Sequence, residues 1–176
     1  MYILSQIFVV ISGILFAASY LIKKKESILI INIFNNLFFS THFLLLKSYT
    51  ATITNFLTIF FLLAIYFVEK KKKGNLNFII VSIFSLILIP ITISTWDGIV
   101  TLLPLSASLL FFLASALKNT LAIKMVYFIS TISNTIFMFI IHSYFGFGVN
   151  ICILITAVVG IIKELINIKN KKLSAS

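Results

Sequence analysis

The stretch 56-FLTIFFLLAIYFV-68 decides what kind of protein this is. It carries no charge, and apolar side chains follow one another without a polar residue at every second place. Backbone amides in lipid are satisfied either inside a helix or around a closed barrel. A barrel strand would alternate apolar and polar residues over about ten positions. This run does not, so it is a membrane helix.

Six more runs of the same character flank it. Crossing ~30 Å of hydrocarbon at ~1.5 Å per residue takes about twenty residues. The spacing predicts spans over 2–22, 28–46, 50–68, 78–95, 99–117, 121–141 and 147–166. Hydrophobic residues make up 61% of the chain and charged residues 10%, far from the balance of a water-soluble domain. The expected fold class is all-α: a single polytopic membrane domain over 1–176, with 167–176 as a basic cytoplasmic tail. The first span does not read as a removable signal peptide, which wants a basic stretch before its apolar core. Here the chain opens Met-Tyr-Ile-Leu, and 23-KKK-25 follows the span.

The charge is arranged as well as large. Of the 14 basic residues, all lysine, every one but Lys47 falls on one side of a seven-span layout. Basic loops stay in the cytoplasm, so the N-terminus is expected outside and the C-terminus inside, in a bacterial inner membrane. A net charge of +10 then needs no nucleic acid, because anionic lipid headgroups at the lysine-rich face account for it. The single Cys152 can form no intrachain disulfide. No Cys/His cluster suggests a metal, and no cofactor is implied.

Two short stretches repeat. The sequence 47-KSYTATITN-55 is echoed by 142-HSYFGFGVN-150, at an offset of 95 residues. The offset also matches Lys23 to Lys118 and Glu69 to Glu164. Elsewhere identity is little better than chance in a chain this rich in Ile, Leu and Phe, so the polar matches and equal span spacing carry the inference. The spans divide into a first three-helix repeat (2–68), a linker helix (78–95) and a second three-helix repeat (97–166). One linking helix makes the two triplets parallel, related by a pseudo-twofold axis along the membrane normal.

That plan, with Asn55 in the third and Asn150 in the seventh helix, resembles the SWEET and PQ-loop transporters. The resemblance implies that the asparagine pair lines a sugar site near the axis. The Pro-Gln pair of those families is missing: the inner ends of helices 1 and 5 read 18-ASYLI-22 and 113-LASAL-117. A second resemblance covers nearly the whole chain. The run 42-HFLLLKSY-49, the basic loop after helix 1, 102-LLP-104 and the Ser-x-x-Gly at Ser143 to Gly146 look like the YgjV-like bacterial inner-membrane proteins. This second resemblance implies fold and location more than activity.

Polar residues within spans want a partner or a cavity. In helix 2, Asn32, Asn36 and Ser40 share one stripe with Asn35 beside it; in helix 6, Tyr127, Ser130, Thr131, Asn134 and Thr135 form a comparable face. Candidate solute contacts are Asn55, Asn150, Asn36, Ser40, Thr131 and Asn134. Small and hydroxyl residues at such places also serve helix packing, and the helix 2 asparagines could equally be interhelical glue. His42 could relay protons or be a single hydrogen-bonded histidine. Tyr49 and Tyr144, with Trp96, belong first to an interface belt and second to a gate. Pro90 and Pro104 each permit a kink, though Pro104 matches Val9, so they make no symmetric hinge. Glu69 and Glu164 are expected in ion pairs at the inner surface.

No carboxylate lies mid-span and no phosphate-binding loop follows a strand, so an enzyme is not expected. The function expected is facilitated transport of a small polar, neutral solute, sugar-like first. Nucleoside-like vitamins come next, as in the similarly laid out PnuC transporters. The rival is a non-transporting membrane scaffold or partner subunit, dry at Asn55 and Asn150. Self-association into a homo-oligomer is left open.

Overall fold

The computed structural model describes residues 2–47, 49–71, 76–94, 98–140 and 143–173. Ser48, Lys72, Lys73, Trp96, Asp97 and His142 lie outside the described residues, as does the side chain of Tyr49. Seven α-helices are described: α1 (Tyr2–Leu21), α2 (Lys25–Leu45), α3 (Tyr49–Lys70), α4 (Asn77–Ser94), α5 (Leu102–Ala116), α6 (Thr120–Ile140) and α7 (Tyr144–Leu173). Each coincides with or contains a segment long and apolar enough to cross a membrane, save α5, which is part of one that begins at Ile99. All seven fall where the hydropathy of the sequence placed them.

Four boundaries differ from expectation by three residues or more; α2 and α7 each start three residues early, at Lys25 and Tyr144. Helix α7 runs on to Leu173, through residues expected as tail. Nothing in 165-LINIKNKKL-173 breaks a helix, and lysines near its C-terminus complement the helix dipole. Helix α5 starts late, after a 3-10 turn at Ile99–Thr101. Pro104 is therefore in the first turn of α5, where a missing N–H costs no intrahelical bond. Pro90 sits inside α4.

The helices pack in chain order around a ring. Each touches the next, and α1 closes the ring against α7; α4 fits between α3 and α5, which meet only thinly. In α2 the buried set is mostly polar (Asn32, Asn35, Asn36, Ser40, His42), while Ile30, Phe34, Leu37 and Leu44 are exposed. Helix α6 repeats the pattern, with Ser130, Thr131 and Thr135 inside and Ile129, Ile132 and Ile136 outside. Lipid is as apolar as leucine, so what drives these faces inward is the need of polar groups for partners.

At the lysine-rich end two ion pairs tie the ring. Lys25 Nζ lies 2.6 Å from Glu69 Oε1, and Lys124 Nζ lies 2.8 Å from Glu164 Oε2. The expected pairs form, but with cations from other helices rather than from the lysine runs beside each glutamate. Asn77 of α4 also donates to Glu69 and, at 3.2 Å, to the Ala116 carbonyl of α5. Between α1 and α7 the backbones approach closely: a Cβ on Gly160 would lie 2.4 Å from the Tyr20 carbonyl oxygen.

Several contacts fall on positions that the 95-residue offset matches. Ser12 donates to Asn35 Oδ1 at 2.6 Å between α1 and α2, and Ser130 donates to the Ala107 carbonyl at 2.7 Å between α5 and α6. Lys25 meets Glu69, and Thr120 meets Glu164 at 3.1 Å. Asn32 and Tyr127, themselves 95 residues apart, hydrogen-bond to one another at 3.3 Å.

Candidate functional site: a cavity between the helices

The half of the bundle away from the lysines is hollow. A cavity of about 550 Å³ is lined by the middle of α1, the first ten residues of α5, the N-terminal halves of α3 and α7 and the C-terminal halves of α2, α4 and α6. It reaches the helix ends near Phe43, Ala51, Val100 and Gly146. Its wall carries five asparagines: Asn35, Asn36, Asn55, Asn134 and Asn150. Hydroxyls of Ser12, Thr54, Thr58, Ser108 and Thr131 stand between them, and Phe16, Phe39, Phe111 and Phe137 supply ring surface. Among the described residues, no Asp, Glu, Lys, Arg or His lines it.

The amides differ in how far they are already used. Asn36 Nδ2 donates to the Asn32 carbonyl and Asn55 Nδ2 to the Ala51 carbonyl, each at 2.7 Å along its own helix. Asn35 accepts from Ser12. Asn150 is 6% exposed, and its Nδ2 has no partner among the described residues. A buried amide donor without a partner forfeits roughly 1–3 kcal/mol, and here it belongs to a residue of the cavity wall.

Toward the lysine-rich side the cavity ends on an aromatic floor. Phe111 stacks on Tyr127 with ring centroids 4.7 Å apart, and Phe16 leans on Tyr127 at 5.8 Å and Tyr20 at 5.5 Å. Tyr127 is fully enclosed; its hydroxyl is 2.8 Å from Ser115 Oγ and accepts from Asn32. The Tyr20 hydroxyl lies 3.1 Å from Thr131 Oγ1.

Of the residues singled out from sequence, Asn55, Asn150, Asn36, Thr131 and Asn134 come together on the cavity wall. Ser40 does not line it. Its hydroxyl is buried and donates to the Leu37 carbonyl at 2.9 Å. His42 is likewise set in the α1–α2 contact, with Nδ1–H donating to the Ser5 carbonyl at 2.8 Å and Phe39 and Phe43 beside the ring. Tyr144 is 66% exposed at the start of α7. Sequence reasoning passed over α1, although Ser5, Ser12 and Ser19 recur every seven residues and are all buried. That heptad spacing marks one helix face. It also passed over Tyr20, whose match at the 95-residue offset is Ser115, and Thr92, which lies in the linker helix that has no match.

Comparison with known proteins bears on the whole chain. A family model described as bacterial inner membrane protein, Imp-YgjV, matches residues 3–166. The chain belongs to the Imp-YgjV family. The match runs from the first turn of α1 into the last third of α7, so the whole ring and its cavity lie within the family's extent. No curated protein and no solved structure matches the chain.

Proposed function

We propose that this Imp-YgjV protein is a facilitator of a small, polar, uncharged solute, bound in the cavity between the helices. One observation carries the proposal: a chamber of about 550 Å³ whose wall, among the described residues, offers amides, hydroxyls and rings but no charged side chain, with the Asn150 amide donor unpartnered among those residues. A volume of ~300–1,000 Å³ suits a small-molecule ligand. Amides present both a donor and an acceptor, which suits the hydroxyl groups of a sugar or the ring edge of a nucleoside. An ion would find no counter-charge among the described residues of the wall.

Two further features belong to the same proposal. The paired contacts at 95-residue offset support descent from a duplicated three-helix unit, with α4 as joiner. A group and its repeat mate touch each other only near a twofold axis, as Asn32 and Tyr127 do. The layout is then the parallel-repeat plan that SWEET-like carriers use. With the lysines facing the cytoplasm and anionic headgroups, the chamber faces outward and the aromatic floor closes it from inside. The chemistry is translocation, with no bond made or broken.

Purified protein in liposomes, screened against labelled sugars and nucleosides, tests this. Asn150→Ala and Asn55→Ala should each lower uptake by roughly five- to a hundredfold, the equivalent of ~1–3 kcal/mol per stranded hydrogen bond, while melting stays near that of the parent. A transported solute carried at the normal rate by both variants would overturn the site. A chamber that admits no water-soluble thiol reagent would leave the asparagines as packing contacts of a scaffold.

A further inference from the structure

The cavity is not the only void on a line across the bundle. On the lysine-rich side a cleft of about 270 Å³ opens between the end of α1, the start of α6 and the lower part of α7. Its wall includes Tyr20, Lys23, Lys124, Gly160, Lys163 and Glu164. Tyr20 belongs to the wall of this cleft and Thr131 to the wall of the large cavity, and their hydroxyls are 3.1 Å apart. At this place the fully buried side chain of Tyr20 reaches from the wall of one void to the wall of the other, within a packed cluster that includes Phe16, Ile123, Tyr127, Ile153 and Ala157.

The central line below the cavity is filled differently. There Phe111 and Tyr127 stack, the Tyr127 hydroxyl is held by Ser115 and Asn32, and Phe61 packs on Phe112 with centroids 4.2 Å apart. Opening that line would displace several rings and break a buried hydrogen-bond chain. Moving Tyr20 breaks a single hydrogen bond, to Thr131, and shifts its ring against Phe16. Gly160 leaves room for the Tyr20 backbone against α7, so the barrier sits on a helix seam without a side chain wedged in it.

We infer that Tyr20 is the barrier between the two mouths of one path, which leaves on the lysine-rich side between α1, α6 and α7 and not along the centre of the ring. The inference rests on the cavity being the solute site. It adds a charge selection: Lys124 is paired with Glu164, so Lys23 and Lys163 leave the inner mouth positive. A neutral or anionic solute passes such a mouth, whereas a cation is repelled.

The test is thiol access, which needs no knowledge of the solute. In a Cys152→Ser background, Thr131→Cys is exposed to a membrane-impermeant thiol reagent in right-side-out and in inverted membrane vesicles. With Tyr20 in place, labelling should occur only from the lysine-poor face. With Tyr20→Ala, the lysine-rich face should gain access at a rate raised roughly tenfold or more, because loss of the phenol opens the Thr131 hydroxyl toward the lysine-lined cleft and leaves room for water. Tyr20→Leu, closer in volume, serves if the alanine variant does not fold. Tyr127→Leu, on the central line, should leave the lysine-rich face closed. Folded Tyr20 variants that stay closed, or opening by Tyr127→Leu instead, would overturn the route. Failure to label Thr131→Cys from either face in every variant would overturn the cavity reading itself, a different result.

Discussion

Single residues carry most of the cost of building this interior. Lys124 is 3% exposed and its partner Glu164 12%, so removing one leaves a charge with no counter-charge. Breaking a buried pair costs about 3–5 kcal/mol, while replacing both partners by apolar groups of similar size is often neutral. Glu164→Ala should therefore lower the melting temperature of detergent-purified protein sharply, and Glu164→Ala with Lys124→Leu should restore most of the loss. A double variant as unstable as the single one would show that the pair is not the cause. Tyr127→Phe is a gentler probe. It strips Asn32 of the acceptor for its Nδ2, next to an Oδ1 already without a partner, and should cost ~1–3 kcal/mol in chemical denaturation. The ion-pairing of both glutamates was legible from their places at inner span ends. The identity of the cations was not, because Lys25 and Lys124 lie 44 and 40 residues away in sequence.

Among the elements, the α1–α7 seam is the one whose chemistry is clearest. It closes the ring, and at Gly160 it leaves no room for a methyl group, since a Cβ would lie 2.4 Å from a backbone oxygen that cannot rotate away. Gly160→Ala should destabilise by ~1–3 kcal/mol through overpacking. Gly148, on the same helix, has nothing within 4 Å of where a Cβ would go. There the helix propensity of alanine dominates, and Gly148→Ala should be neutral or stabilising by up to ~1 kcal/mol. Thermal melts of the two variants side by side check both signs. Helix positions were legible because apolar run length is set by bilayer thickness. The late start of α5 and the long end of α7 were less so, since a turn of 3-10 helix and a helix leaving the membrane both depend on what surrounds them.

At the scale of the whole molecule, the ends of the bundle are unlike. Lysines crowd one end and the cavity occupies the other, so topology and function are one question. A cysteine at Ile99, 78% exposed at the lysine-poor end, should react with an impermeant thiol reagent in intact cells lacking Cys152. One at Lys118, exposed at the opposite end, should react only after permeabilisation. The reverse pattern would turn the cavity toward the cytoplasm.

What the sequence determined alone was the class of the molecule: all-helical, seven spans, lysines gathered at one end, asparagines inside. Those properties follow from local, additive physics, because each run of apolar residues meets the bilayer by itself and each amide inside it needs a partner. Tertiary structure decided which partner. It turned Ser40 and His42 into helix contacts, set Asn36, Asn55, Asn134 and Asn150 around a common void, buried Lys25 and Lys124, and brought the Tyr20 hydroxyl to Thr131. A hydroxyl or amide bonds the nearest group of right geometry, and nearness across a ring of helices comes from packing, which no single span encodes.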